Sequence, residues 1–294
     1  MPNNMISGQS ARTPWYLLTV LVVAYLLMLF VHAQGLAFPV AGFAHFVDGI
    51  FIYAIGLIIL NRTRGIHDKT RVTLYFSLFF ILIGVFEMML FLPYITLYRP
   101  QTNPLYFPVS MYWATVTARI FLYGALAFLV RASVRIFMPN LNTLIFYFIA
   151  AFGLMVTIVN MNMPAYPVYD ALSGLSITHD DLIVTQLLAA ITVLSAASAI
   201  ILFTIGAFTG SDAKERRSRC MRIALSILVI TVFGLAHEYV TSTISFIIAD
   251  IIMLGGFMLL AATLLQLPDL PYIVDSEEQL FAVSAQSVQP DLVS

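Results

Sequence analysis

Charge is scarce in this 294-residue chain: Asp, Glu, Lys and Arg together make up 10% of it, and 14 basic against 15 acidic residues leave a net charge of -1. So even a balance offers no basic surface to a phosphate backbone, which argues against a nucleic-acid partner. The single cysteine, Cys220, rules out an intramolecular disulfide and a thiolate metal cage. It falls in a basic stretch and reads as an ordinary reduced thiol. The two lysines, Lys69 and Lys214, both lie between apolar runs, so a retinal-type Schiff base cannot form within a membrane. Phosphate-cradling glycine loops, HExxH zinc helices and nucleophile elbows are all missing.

What fills the chain instead is apolar. Hydrophobic residues make up 61% of it and the mean hydropathy is +0.94, which makes bilayer rather than water the solvent. A membrane-crossing helix needs roughly 20 mostly apolar residues. Such runs occur at 14–34, 41–60, 72–97, 111–134, 143–162, 182–208, 222–240 and 244–267. The sequence therefore predicts an all-α integral membrane protein, a bundle of eight transmembrane helices. Its parts are an N-terminal segment at 1–13, a transmembrane domain at 14–267 and a disordered acidic tail at 268–294. The first run lacks a small-residue cleavage site and is read as a retained helix, not a signal peptide.

The few basic residues set the expected orientation. Arg12, the stretch Arg62 to Arg71, the pair Arg131 and Arg135, and the stretch Lys214 to Arg222 would all lie on one side, leaving Arg99 opposite. Under the positive-inside rule both termini are cytoplasmic in the plasma membrane, and an eight-span count agrees. Trp15 and Tyr16 then mark the inner interface. Tyr94, Tyr98, Tyr106, Tyr112 and Trp113 mark the outer one, where Trp and Tyr rings favour the headgroup level. Pro93 should bend or end its helix. The long outer connections 98–110 and 162–181 are placed to cap whatever lies beneath.

A faint repeat runs through the chain. Glu87 lies 16 residues beyond Arg71, and Glu238 the same distance beyond Arg222. Spans one to four and five to eight would then be two parallel four-helix copies.

Ionisable groups inside the spans gather at one depth. Glu87 stands about 24 Å above Arg71 at 1.5 Å per residue, and Asp48, Arg119 and Asp250 each lie about 9 to 12 Å below the outer ends of their runs. His45 and Asp48 are three residues apart and share a helix face. Glu87 and Arg119, on consecutive antiparallel spans, are expected to pair. One arginine at this depth cannot serve three carboxylates, so at least one of them should be protonated, hydrated or bound to a cation. His32, His237 and Glu238 lie nearer the headgroups.

Three functions remain open. The leading one is a non-catalytic module that binds or senses a small ligand or proton through His45, Asp48, Glu87, Arg119 and Asp250, and that meets a cytoplasmic partner. Its plan resembles, in architecture, the membrane sensor modules of bacterial signalling proteins. The second is a proton- or cation-coupled carrier using the same carboxylates. The third is a membrane enzyme in which His45, Asp48, His237 and Glu238 hold a divalent metal, or in which His45 and His237 hold a haem. A pocket sealed below by apolar packing favours the first reading, and a path open to both sides the second. Converging histidine nitrogens favour the third.

Overall fold

A computed structural model of the chain describes residues 13–34, 39–63, 71–97, 106–138, 144–170, 173–177, 182–208, 214–237, 240 and 242–265, without the side chains of 13–18, 32, 62–63, 96–97 and 176–177. The described residues form eight long helices, one short helix and a small hairpin: α1 Thr13–Ala33, α2 Val40–Thr63, α3 Val72–Phe91, α4 Tyr94–Leu97, α5 Tyr106–Phe137, α6 Leu144–Asn162, β1 Val168–Asp170, β2 Leu175–Ile177, α7 Leu182–Phe208, α8 Lys214–His237 and α9 Thr243–Leu265. All of α2, α3 and α5 to α9 are long and apolar enough to cross a membrane, and α1 adds an apolar helix over Thr19–Val31. The protein is a multi-pass helical membrane protein, as its composition requires. In hydrocarbon every backbone N–H and C=O must be bonded within the segment, and a helix does this residue by residue. Hydroxyls inside the spans follow the same rule: Ser133, Thr157, Thr231 and Thr263 each donate to the carbonyl four residues back.

The packing repeats. α2 lies against α3 as α7 lies against α8; α3 meets α5 as α8 meets α9; α1 touches α2 as α6 touches α7. Contacts between the halves match as well, since α5 holds α6 and α7 where α9 holds α1 and α2. The order of helix neighbours among the first four long helices thus recurs among the last four. The closest approach is that of α2 to α3. A side chain at Gly84 would place its Cβ 2.7 Å from the backbone nitrogen of Tyr53, so only glycine admits this spacing. In the second half Gly256 plays a similar part, its Cβ position lying 2.9 Å from Ile230, whereas Gly255 faces open space.

Several sequence-based boundaries need correction. The third span ends at Phe91, and the chain restarts as α4 after Leu92 and Pro93. Expected as loop, Tyr106–Ser110 is instead the first turn and a half of α5; Pro108 fits there because its missing N–H would be unbonded in any case. Helix α8 starts at Lys214 rather than 222, so the basic stretch is itself helical. Arg219 pairs with Glu215 one turn earlier, a spacing that favours helix over loop. The 162–181 connection holds the antiparallel hairpin β1–β2. Residues 1–12, the 268–294 tail, Glu238, Tyr98 and Arg99 lie outside the described residues.

Arg71 before α3, Arg135 in the last turn of α5 and Lys214 at the start of α8 fall at one end of the bundle, the basic end; the hairpin lies at the other. Large apolar side chains such as Val20, Leu144, Phe148 and Leu194 point outward, as they must on a surface facing lipid.

Candidate functional site

Helix α2 supplies the first two groups. His45 and Asp48, one turn apart, both turn inward and are buried. The Nδ1 atom of His45 lies 2.7 Å from Oε2 of Glu87 on α3. Asp48 faces the other way along the same face, and its Oδ1 accepts from the Tyr25 hydroxyl of α1 at 2.7 Å.

The same hydroxyl also contacts Oδ2 of Asp250 on α9. A phenol carries one hydrogen. Satisfying both contacts therefore takes two: the phenol's own and one held on a carboxyl. Asp250 Oδ1 in turn faces His237 Nε2 of α8 at 3.1 Å, an ion-pair distance without an aligned hydrogen bond. The rings of His45 and His237 meet edge to face with centroids 5.8 Å apart. Six side chains from five helices thus form one chain in space: Glu87, His45, His237, Asp250, Tyr25 and Asp48.

Arg119 comes from α5. It sits near the middle of that 32-residue helix, deeper than the expected helix start at 111 implied. The α3–α5 contact fixes its level, because the Cβ position of Gly124 is 3.2 Å from Leu82 Cδ1. On antiparallel helices five residues from each of those points bring Glu87 and Arg119 to the same height. Both line one cavity, and the Glu87 contact described above is to His45.

That cavity has a volume of about 460 Å³. At its hairpin end stand His45, Glu87, Arg119 and His237; toward the basic end its wall turns to Phe79, Leu129, Ile227 and Phe257. Beyond these, buried Phe76 packs on Phe203, and Phe203 on Phe137. The hairpin lies at the other end. Leu175 of β2 lines the cavity, the Ala41 N–H of α2 donates to the Gly174 carbonyl, and the Thr243 hydroxyl of α9 donates to the Ser173 carbonyl. Gly174 holds a φ of 68°, the left-handed conformation the turn needs and glycine allows. Tyr94, Phe107 and Tyr169 pack edge to face as a rim.

Of the residues the sequence singled out, His45, Asp48, Glu87, His237 and Asp250 come together, with Arg119 across the same cavity. His32 lies on α1 without a described side chain. Sequence reasoning missed Tyr25, although a signal existed: it is a phenol in the middle of an apolar run, far from the interfaces where tyrosines usually sit. Among the described residues no group of three or more His, Cys, Asp or Glu side chains is arranged to hold a metal. His45 Nδ1 and His237 Nε2 each face a carboxylate, and Glu238, the fourth ligand expected for a metal, lies outside the described residues.

The chain matches no protein-family model, and neither a curated protein nor a solved structure shows significant similarity to it. Its function is therefore argued from the geometry alone.

Proposed function

We propose that this protein is a membrane-embedded binding module that takes a small ligand, and protons with it, in the cavity between α3, α5, α7, α8 and α9. The observation that carries this reading is the cavity's lining: buried acid and imidazole groups at one end, aromatic and aliphatic side chains at the other. A pocket of this size suits a small organic molecule. Its polar wall connects through His45 and His237 to the Tyr25 trio, so ligand binding and proton occupancy bear on the same helices. With the basic end facing the cytoplasm, a change in α2, α3 or α8 would be delivered to the basic helix start Lys214–Arg222, where a cytoplasmic partner could read it.

A carrier is the second reading, favoured by the recurrence of helix contacts between the first four and the last four long helices. Flux separates the two. Purified protein in proteoliposomes with an internal pH dye should show ligand-dependent stabilisation but no acceleration of proton or ligand entry. Rapid ligand-coupled acidification that Asp48→Asn abolishes would replace the binding module by a carrier. Asp48→Asn should remain folded in either case, because its amide can donate where a protonated carboxyl did.

A further inference from the structure

Six helices form a ring around the cavity. α2 packs on α3, α3 on α5, α5 on α7, α7 on α8, α8 on α9, and α9 on α2 again. All six contribute to the lining, α2 through Ala41 and His45, so the cavity is the lumen of the ring and runs along the helices. The two remaining long helices lie outside, α1 against α2 and α9, α6 against α5 and α7. Helical rise gives the length. The lining runs from Phe79 to Leu90 on α3, from Ile227 to His237 on α8 and from Phe246 to Phe257 on α9, about 15 to 17 Å in each case at 1.5 Å per residue. On α5 it runs from Met111 to Leu129, about 27 Å on the same rise. Spread over these lengths, 460 Å³ gives a mean section of roughly 17 to 31 Å². A hydrocarbon chain whose atoms keep about 4 Å from their neighbours takes up about 20 Å² with its zigzag included. The lumen therefore has the section of one chain, and two abreast would need about twice the space of one.

Resting on the binding-module reading, we infer that the ligand is a single unbranched hydrocarbon chain with one polar end, lying along the bundle axis. The polar end stands at the hairpin side, where His45 and His237 line the lumen, and the chain runs toward Phe79, Leu129 and Phe257, where the lining is apolar. Carbon–carbon bonds of about 1.5 Å at about 111° advance about 1.25 Å each, so the lumen takes roughly 12 to 21 carbons. Such a chain can come from a membrane lipid, still joined to its headgroup, or from a free single-chain lipid. The part that the lumen recognises is the same.

Photolabelling of the intact protein in phosphatidylcholine nanodiscs tests this with two probes: hexadecanol carrying a diazirine at its far end, and adamantane diazirine as a compact body. Peptide mass spectrometry reads the sites of attachment. The linear probe should label saturably beside Phe79, Leu129 or Phe257, and the compact one should not. At equal mole fraction in the disc, hexadecanol should displace the linear probe at least about tenfold better than hexanol, which leaves much of the lumen unfilled. Lysophosphatidylcholine with a hexadecanoyl chain is the membrane-lipid arm, and its order against hexadecanol tells which source the lumen suits. Leu122 lines the lumen part-way along α5. Leu122→Trp should therefore shift attachment to its hairpin side, whereas Leu122→Met, close in volume, should leave it in place. Hexanol displacing as well as hexadecanol, or saturable labelling of the same residues by the compact probe, would overturn the linear chain while leaving a binding module in place. Absence of saturable labelling in the lumen by either probe would overturn the chain and the binding module together.

Discussion

His45 Nδ1 and Glu87 Oε2 lie 2.7 Å apart, a bond that joins α2 to α3 in the cavity wall one turn above the close glycine contact of Gly84 with Tyr53. Helix spacing and side-chain chemistry therefore meet at one place: the glycine lets the helices approach, and the approach brings imidazole to carboxylate. A ligand that competes for either group would act on the tightest interface in the bundle.

Replacing His45 by Leu should leave the buried Glu87 carboxylate short of a donor and lower stability by about 1–3 kcal/mol, the usual cost of an orphaned buried polar group. Combining it with Glu87→Leu should recover part of that loss, because both halves of the bond are then gone. Thermal unfolding in one detergent compares the three variants with the parent. Equal stability of His45→Leu and the parent would mean that the bond contributes nothing.

Arg119 offers a second test on the same carboxylate. It is level with Glu87 across the α3–α5 contact, so Arg119→Leu should destabilise by about 3–5 kcal/mol or prevent expression, as expected when one member of a buried ion pair is removed. Adding Glu87→Gln should restore part of the folded yield. A double variant no better than Arg119→Leu alone would separate the two residues energetically and make Arg119 answerable to another group.

Much of this arrangement was legible in the sequence, for definite physical reasons. Apolar length identified the spans, and intramembrane charge identified His45, Asp48, Glu87, Arg119 and Asp250, because hydrocarbon tolerates few such residues. Helical rise placed Glu87 and Arg119 at one height without any knowledge of packing. The bond of Glu87 to His45 was not legible, because it depends on which faces of α2 and α3 meet. Tyr25 escaped notice since a tyrosine in an apolar run raises hydropathy little and carries no charge. The starts of α5 and α8 were misplaced because Pro108 and the arginines after Lys214 look like loop residues, though a first helical turn accepts the one and a solvent-facing helix end the others.

Orientation is testable by cysteine labelling in a Cys220→Ser background. Arg64→Cys and Arg216→Cys should react with a membrane-impermeant maleimide only after the membrane is opened, and Asn103→Cys and Ser173→Cys in intact cells. The reverse pattern at both pairs would put the basic end outside and turn the hairpin-capped cavity toward the cytoplasm.

Tyr25 carries the last prediction. Its hydroxyl is the bond by which α1 reaches Asp48 of α2 and Asp250 of α9, and Leu21 and Met28 add buried apolar contacts on the same helix. Tyr25→Phe removes the oxygen while keeping the ring, leaving two buried carboxyls with one shared partner fewer. Stability should fall by about 1–3 kcal/mol on the scale for an unsatisfied buried group, and α1 should become the first helix cut by added protease. Asp48→Asn on top of Tyr25→Phe should restore protection, because an uncharged amide can donate to Asp250 directly and removes the need for a carboxyl proton. If Tyr25→Phe is as stable and as protease-resistant as the parent, the phenol does not hold α1, and that helix docks through its apolar contacts alone. If it is less stable but Asp48→Asn gives no relief, the phenol matters through packing rather than through the hydrogens it shares with the two carboxyls.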